Sequence, residues 1–122
     1  MPNPLDTGRL GEQAAADFLE QKGWRIVARN FCAAKGEIDL IAWENERRLV
    51  FVEVKTRGDD LFGKPQQAVD AKKQQHIARA AGAYMAKIGH EGAIRFDVVS
   101  VLLRNGEVRD LQHIADAFWP GG

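Results

Sequence analysis

The chain has 122 residues, of which 45% are hydrophobic and 28% are charged, a composition expected for one soluble globular domain, residues 1–122. Its 17 basic residues balance its 17 acidic residues, which argues against a protein that coats nucleic acid through charge alone. A single cysteine and short apolar runs argue against a disulfide framework and a membrane span. From the polar N-terminus we expect no signal peptide, and we expect a cytoplasmic protein.

The N-terminal third is predicted to hold a helix and a strand. Apolar residues at helical spacing predict a helix from about Gly8 to Lys22, after a loose arm of residues 1–6. Glu12 lies in the first turn of that helix, where an acid interacts favourably with the helix dipole. The same residue could instead lean toward a metal site as an additional carboxylate, and the helix pattern leaves both roles open. Alternating side chains then predict a strand from Trp24 to Phe31.

The stretch from Gly36 to Arg57 contains the main anomaly of the sequence. Two segments rich in β-branched and aromatic residues flank a short polar connector, which predicts a β-hairpin. Three charged residues, Asp39, Glu53 and Lys55, interrupt these apolar segments. Because a buried charge is costly unless it is paired or coordinated, these residues indicate a functional site.

The register of the hairpin decides whether the two acids meet. A three-residue loop from Asn45 to Arg47 opposes residues whose numbers sum to 92, which places Asp39 opposite Glu53 on one face. A two-residue loop at Asn45–Glu46 shifts the register by one and sends the two acids to opposite faces. The loop sequence alone leaves both registers open.

Side by side, the two carboxylates would suit metal-assisted hydrolysis. Carboxylate oxygens bind Mg²⁺, which takes its other ligands from water and substrate phosphate. Lys55 follows Glu53 by two residues and so shares its face, where it can stabilise charge that develops on a phosphoryl group. Asp, 13 intervening residues, Glu, one residue and Lys is the order in restriction-endonuclease-like nucleases, written PD-(D/E)xK. The proline of that pattern is replaced here by Ile38.

A long helix is predicted from Gln66 to about Ile88, after a loop from Gly58 to Pro65 rich in turn formers. Residues 64–90 contain five basic residues and one acidic residue. This positive band is either a solvated helix face or a nucleic-acid groove. For the groove we expect phosphate contacts from Lys72, Lys73, Arg79 and Arg57.

Two strands are predicted after this helix, from Ile94 to Leu103 and from Glu107 to Leu111, joined by a tight Asn105–Gly106 turn. Asp97 places another acid inside a strand, where we expect it to pair with Arg95 or with a central lysine. Residues 112–122 form a C-terminal tail. The predicted order is therefore α-β-β-β-α-β-β, an α/β fold with a mixed central sheet flanked by helices in three layers.

Several motifs together resemble one known family. They are Gly8-Arg9-Leu10-Gly11-Glu12, Gly36-Glu37-Ile38-Asp39-Leu40-Ile41, Phe51-Val52-Glu53-Val54-Lys55-Thr56-Arg57, and Ala68 followed by Lys72. In this order they resemble the YraN family of small bacterial proteins, which has a restriction-endonuclease-like fold and a largely uncharacterised role. The resemblance covers the chain from Thr7 to about Leu111 and is similar in layout to the archaeal Holliday-junction resolvases, Mg²⁺-dependent dimers that cut branched DNA.

The resemblance implies a role for each candidate residue. Asp39 and Glu53 would bind Mg²⁺ or Mn²⁺ with the Val54 carbonyl, Lys55 would be the catalytic lysine, and Glu12 would be the helix-borne acid. DNA, including branched or flapped DNA, would be the substrate, and a homodimer is a possible assembly. Two functions of different class are therefore carried forward. One is a metal-dependent DNA endonuclease, and the other is a non-catalytic module that binds nucleic acid or a protein partner.

Overall fold

A computed structural model of the chain describes residues 4–58 and 69–120, with side chains from residue 7 onward. Its helices are α1 (Pro4–Gln21) and α2 (Ala71–Ile88), and its strands are β1 (Arg25–Ala33), β2 (Gly36–Trp43), β3 (Leu49–Arg57), β4 (Ile94–Arg104) and β5 (Glu107–Ile114). Neither helix in this described part is long and apolar enough to cross a bilayer.

The five strands form one mixed sheet in the order β1-β2-β3-β4-β5. Neighbouring strands are antiparallel except β3 and β4, which are parallel. Parallel strands need a crossover connection, and α2 lies in the segment that joins β3 to β4. The predicted α/β fold and its order of elements are confirmed.

The sheet is covered on both faces, which gives the three predicted layers. On one face, α1 contributes Ala15, Ala16 and Leu19 to a cluster with strand residues that include Leu40, Val50, Val52, Val54 and Val99. On the other face, α2 contributes Ile77, Ala80, Ala81 and Tyr84 to a cluster with Ile38, Ile41, Leu49, Phe51 and Phe96. Because β3 lies at the centre and is covered on both sides, polar groups on this strand are shielded from water.

The β2–β3 hairpin has the register in which opposed residue numbers sum to 92. Its pairs run from Trp43 opposite Leu49 to Leu40 opposite Val52. Beyond the last pair at this end, the amide of Glu44 donates to the carbonyl of Arg48, which closes a three-residue loop. The predicted register with a three-residue loop is therefore confirmed over these pairs, and Asp39 and Glu53 lie one position beyond the last of them.

Both helices differ from the prediction at their N-terminal ends. α1 begins at Pro4, so part of the segment that we expected to be a loose arm is helical. α2 begins at Ala71 rather than at Gln66, because the Asp70 side chain caps it by accepting a hydrogen bond from the Lys73 amide at 2.8 Å. The predicted start at residues 66–68 and the loop residues 59–65 lie outside the described part of the chain.

Asp97, an acid on β4, lies in a network of polar contacts. Its carboxylate, which is fully buried, accepts two hydrogen bonds from Arg95, one from His113 and one from the amide of Asp116. Burial opposes ionisation, but these hydrogen bonds outweigh it and lower the pKa of Asp97. The expected pairing of Asp97 with Arg95 is confirmed, and the network joins β4 to β5 and to the segment that follows.

Two hairpin turns place consecutive residues in the left-handed region. Asn105 and Gly106 have φ values of 54° and 77°, as the predicted tight turn requires. Ala34 and Lys35 form the β1–β2 turn with φ values of 51° and 64°, although neither is a glycine. Gly36 follows, and it packs so closely on α2 that an added Cβ would lie 2.0 Å from the carbonyl oxygen of His76.

This contact makes Gly36→Ala a test of the packing between the hairpin and α2. Because backbone atoms must shift to admit the methyl group, we expect the substitution to lower the free energy of unfolding by about 2 kcal/mol or more. Gly82→Ala is the matched control, since no atom lies within 4 Å of its added Cβ. That control should raise stability by about 0.5–1 kcal/mol, as helix propensity predicts. Urea unfolding measures both, and equal stability of the two variants would contradict the described packing.

Candidate active site

The Asp39 carboxylate lies where the β2–β3 ladder ends. The last paired residues are Leu40 and Val52, so the next position has lost regular backbone pairing. There Oδ2 of Asp39 accepts a hydrogen bond from the backbone amide of Val54 at 2.8 Å. A side chain of β2 thus takes the place of a backbone acceptor and brings its carboxylate to the centre of the sheet.

The same contact orients the carbonyl of Val54. The N–H and C=O groups of one strand residue point toward the same neighbouring strand. Since the Val54 amide points to Asp39, its carbonyl also faces the end of the β2–β3 ladder. This placement is compatible with the expected role of the Val54 carbonyl as a metal ligand.

Glu53 on β3 is the second acid of the site, and only 4% of it is exposed. Its Oε1 lies 3.2 Å from Nζ of Lys73, which reaches across from α2. The side chain of Lys73 is 44% exposed, so the pair joins a buried carboxylate to a lysine at the protein surface. Lys73 is one of the residues expected to contact nucleic acid, and in the structure its ammonium lies against the Glu53 carboxylate.

The surroundings of both carboxylates raise their pKa values. Burial and then the neighbouring Glu53 raise the pKa of Asp39 to about 7, against the opposing effects of the Val54 amide and Lys73. Burial also raises the pKa of Glu53, although the ammonium groups of Lys73 and Lys55 act in the opposite direction. Two neighbouring acids with raised pKa values form a site in which the binding of a cation would be favourable.

Glu12 approaches this pair from α1. The helix comes so close to β3 that an added Cβ on Gly11 would lie within 1.8 Å of the Thr56 hydroxyl oxygen. The next residue, Glu12, is half-buried and lies near enough to raise the pKa of Asp39 further. Of the two roles left open for Glu12, this position favours the one in which it faces the acids of the sheet.

Lys55 and Glu37 complete the charged surroundings of Glu53. Lys55 is half-buried on β3 and lowers the pKa of Glu53, which places its ammonium within electrostatic range of that carboxylate. Glu37 is exposed on β2, and its charge raises the pKa of both Glu53 and Lys73. Glu37 was not among the predicted site residues, although the predicted register, in which opposed numbers sum to 92, places it opposite Lys55.

The other expected nucleic-acid contacts have separate surroundings. Lys72 is exposed on α2, and Arg57 is half-buried at the end of β3. Nε of Arg79 donates to the carbonyl oxygen of Ala34 at 3.2 Å, which ties α2 to the β1–β2 turn. Arg79 therefore has a structural contact in addition to any role in binding nucleic acid.

The donor set fits a hard divalent cation. Asp39, Glu53 and the Val54 carbonyl supply oxygen ligands, and the Lys73 ammonium already stands where a positive charge is favourable. In the described residues, no group of three or more His, Cys, Asp or Glu side chains is arranged as a metal cage. A set of two carboxylates and one carbonyl fits Mg²⁺, which often binds through one or two carboxylates and completes its coordination shell with water and substrate phosphate.

Comparison with known sequences places the chain in a family. Residues 11–101 match the model of the uncharacterised protein family UPF0102. The chain belongs to the UPF0102 family. It is 46% identical to a UPF0102 protein of Trichlorobacter lovleyi over 91% of this chain and 88% of that protein. A UPF0102 protein of Bacteroides thetaiotaomicron is 42% identical over 94% and 93% of the respective chains. One of Symbiobacterium thermophilum is 54% identical over 77% and 80%.

The raised pKa of Asp39 gives this UPF0102 protein a testable pH dependence. The folded protein holds a proton on Asp39 up to a pH of about 7, whereas the unfolded chain releases it near pH 4. Between these values the folded state binds more protons, so this residue makes the protein less stable as the pH rises. Asp39→Asn keeps an oxygen acceptor for the Val54 amide without the charge.

We therefore expect Asp39→Asn to be more stable than the parent by roughly 1–3 kcal/mol at pH 8 without metal, and similar to it at pH 4. Added Mg²⁺ should stabilise the parent at pH 8 more than the variant. Urea unfolding across this pH range measures the effect. Asp110→Asn, on exposed β5, is the control and should show no such trend. A pH-independent difference between Asp39→Asn and the parent would contradict the assignment.

Proposed function

We propose that this UPF0102 protein is a metal-dependent endonuclease that hydrolyses phosphodiester bonds of DNA, including branched or flapped DNA. The observation that carries the proposal is the pair of carboxylates, Asp39 and Glu53, gathered inside a β-sheet with a lysine two residues from one of them. When no cation is bound, burial beside a second acid disfavours the charged state of a carboxylate. Packing alone therefore does not explain why two acids lie together inside the sheet. The resemblance of the motifs to restriction-endonuclease-like nucleases supports the same reaction.

Different residues of the chain would bind the metal ion and stabilise the reacting phosphate. Asp39, Glu53 and the Val54 carbonyl would hold Mg²⁺ or Mn²⁺, with Glu12 as a further carboxylate nearby. When bound, such an ion lowers the pKa of water and polarises a phosphoryl oxygen. The ammonium of Lys55 stabilises the negative charge that develops on the phosphoryl oxygens as water attacks phosphorus and the sugar oxygen leaves.

A second function, binding without catalysis, has one observation in its favour. The Glu53 carboxylate already has a counter-charge, since the Lys73 ammonium lies 3.2 Å from it. On that basis the acids would stabilise the fold, and the surface of α2 would bind nucleic acid or a protein partner.

A DNA cleavage assay distinguishes the two functions. A panel of single-stranded, duplex, flap and four-way DNA, incubated with Mg²⁺ or Mn²⁺, should show cleavage of at least one substrate under the first proposal.

Lys55→Met is the sharper test, because it keeps the apolar stem of the lysine and removes the ammonium. We expect the cleavage rate to fall by roughly 10²–10³, the usual loss for a positioned electrostatic group, while DNA affinity changes far less. Lys87→Met, at the exposed C-terminal end of α2, is the charge-matched control and should cleave at the rate of the parent. A folded Lys55→Met protein that cuts as fast as the parent would remove Lys55 from the reaction. A parent that cuts no substrate with either metal would favour the binding function.

A further inference from the structure

The ion pair between Lys73 and Glu53 joins a fixed group to a movable one. Glu53 is buried in the central strand, with 4% of its side chain exposed, whereas 44% of the Lys73 side chain is exposed. The backbone of Lys73 is held by the cap at the start of α2, where its amide donates to Asp70. Its four-carbon stem can therefore carry the ammonium to another position while the helix stays in place.

A cleft beside this ion pair offers that second position. It has a volume of about 350 Å³, and its lining residues are Cys32, Lys35, Gly36, Glu37, Lys73 and His76. The β1–β2 turn forms one wall and α2 forms the other. Lys73 thus borders both the carboxylate site and the cleft, and Lys35 and His76 are the other groups there that can carry positive charge.

The walls of the cleft are held together by backbone contacts. Gly36 lies against the carbonyl of His76, and Arg79 donates to the carbonyl of Ala34. Lys35 itself has a φ of 64°, a conformation that is costly for a residue with a side chain. Strain of this kind is often retained where it positions a functional group. Lys35 therefore lines the cleft from a turn that these two contacts hold against α2.

The charge of this region depends on whether a divalent cation is present. The region contains four carboxylates, those of Glu12, Glu37, Asp39 and Glu53, and three lysines, of which Lys55 and Lys73 act on these acids and Lys35 lines the adjoining cleft. With all of them ionised, the metal-free region is slightly acidic and repels phosphate. Binding of one divalent cation makes the net charge of this region positive. Glu53 then no longer needs the Lys73 ammonium to neutralise it.

We propose that Lys73 is an exchangeable counter-ion that neutralises Glu53 in the metal-free protein and turns into the cleft to bind a substrate phosphate when a divalent cation takes its place. This inference rests on the proposed metal-dependent function and adds to it a coupling between metal and substrate. The bound phosphate would belong to the nucleotide that occupies the cleft between the β1–β2 turn and α2. Metal binding would thereby increase the affinity of the protein for DNA through a residue of the chain itself.

The first arm of the test measures metal affinity without substrate. Lys73→Met removes the competing ammonium, so Mg²⁺ should bind roughly fivefold more tightly in titration calorimetry, the factor expected for loss of an ordinary ion pair. Lys73→Gln is a second variant in case the first does not fold, and Lys87→Met is the control with unchanged affinity. Unchanged or weaker Mg²⁺ binding by the folded Lys73 variants would overturn the proposal.

The second arm measures binding of a short DNA duplex at several salt concentrations, in a Lys55→Met background that suppresses cleavage. With Mg²⁺ present, Lys73→Met should reduce the slope of log affinity against log salt by about 0.9, the value for one lost phosphate contact. Without metal the slope should not change, because Lys73 is then held by Glu53. An equal change under both conditions, or none under either, would overturn the exchange.

The two arms are separable from the proposed nuclease activity. Cleavage by the parent with no effect of Lys73→Met on metal or DNA binding would leave the nuclease proposal standing and remove the counter-ion. Conversely, the expected shifts in both arms with no cleavage of any DNA would support the exchange and count against the nuclease.

Discussion

The hydrogen bond from the Val54 amide to the Asp39 carboxylate is the contact on which the candidate site depends. It ends the β2–β3 ladder, brings one acid to the middle of the sheet and turns the Val54 carbonyl in the same direction. Two further charged residues approach that point from the helical layers, Glu12 from α1 and Lys73 from α2. The three-layer arrangement thus supplies charges from both faces to one interruption in the central sheet.

Two aspartates in the described part of the chain, the half-buried Asp39 and the buried Asp97, show how far the surroundings of an acid decide its role. Asp97 is fully buried, yet two hydrogen bonds from Arg95, one from His113 and one from the Asp116 amide lower its pKa. Asp39 has one amide donor and two neighbouring acids, and its pKa is raised to about 7. Asp97 has the partners of a structural acid, whereas Asp39 has the like-charged neighbours typical of a binding or catalytic site.

The parts of this arrangement that depend on local sequence were predictable. The alternation of apolar residues and the length of the connector between Trp43 and Leu49 gave two possible registers, one of which is observed, and the Asn105–Gly106 turn followed from its residue types. The contact of Lys73 with Glu53 was not predictable, because it depends on how α2 crosses the sheet 20 residues later in the chain. Only the tight, left-handed form of the β1–β2 turn was not predictable, since Ala34 and Lys35 lack the Asn-Gly signal of such a turn. The start of α2 was not predictable from apolar spacing, because it is set by a polar contact, the hydrogen bond from the Lys73 amide to the Asp70 side chain.

The parallel pairing of β3 with β4 has a consequence for biosynthesis. Each paired residue of β4 follows its partner in β3 by 45 positions, as Leu49 and Ile94 do, so this contact forms only after a long segment has been made. During translation Glu53 therefore leaves the ribosome before Lys73 and before the strand that completes its side of the sheet. Contacts of such long sequence separation slow folding relative to a helical bundle of similar length. Until β4 arrives, the nascent chain carries an apolar strand with an open edge, the form in which β-rich proteins are most exposed to pairing with other chains.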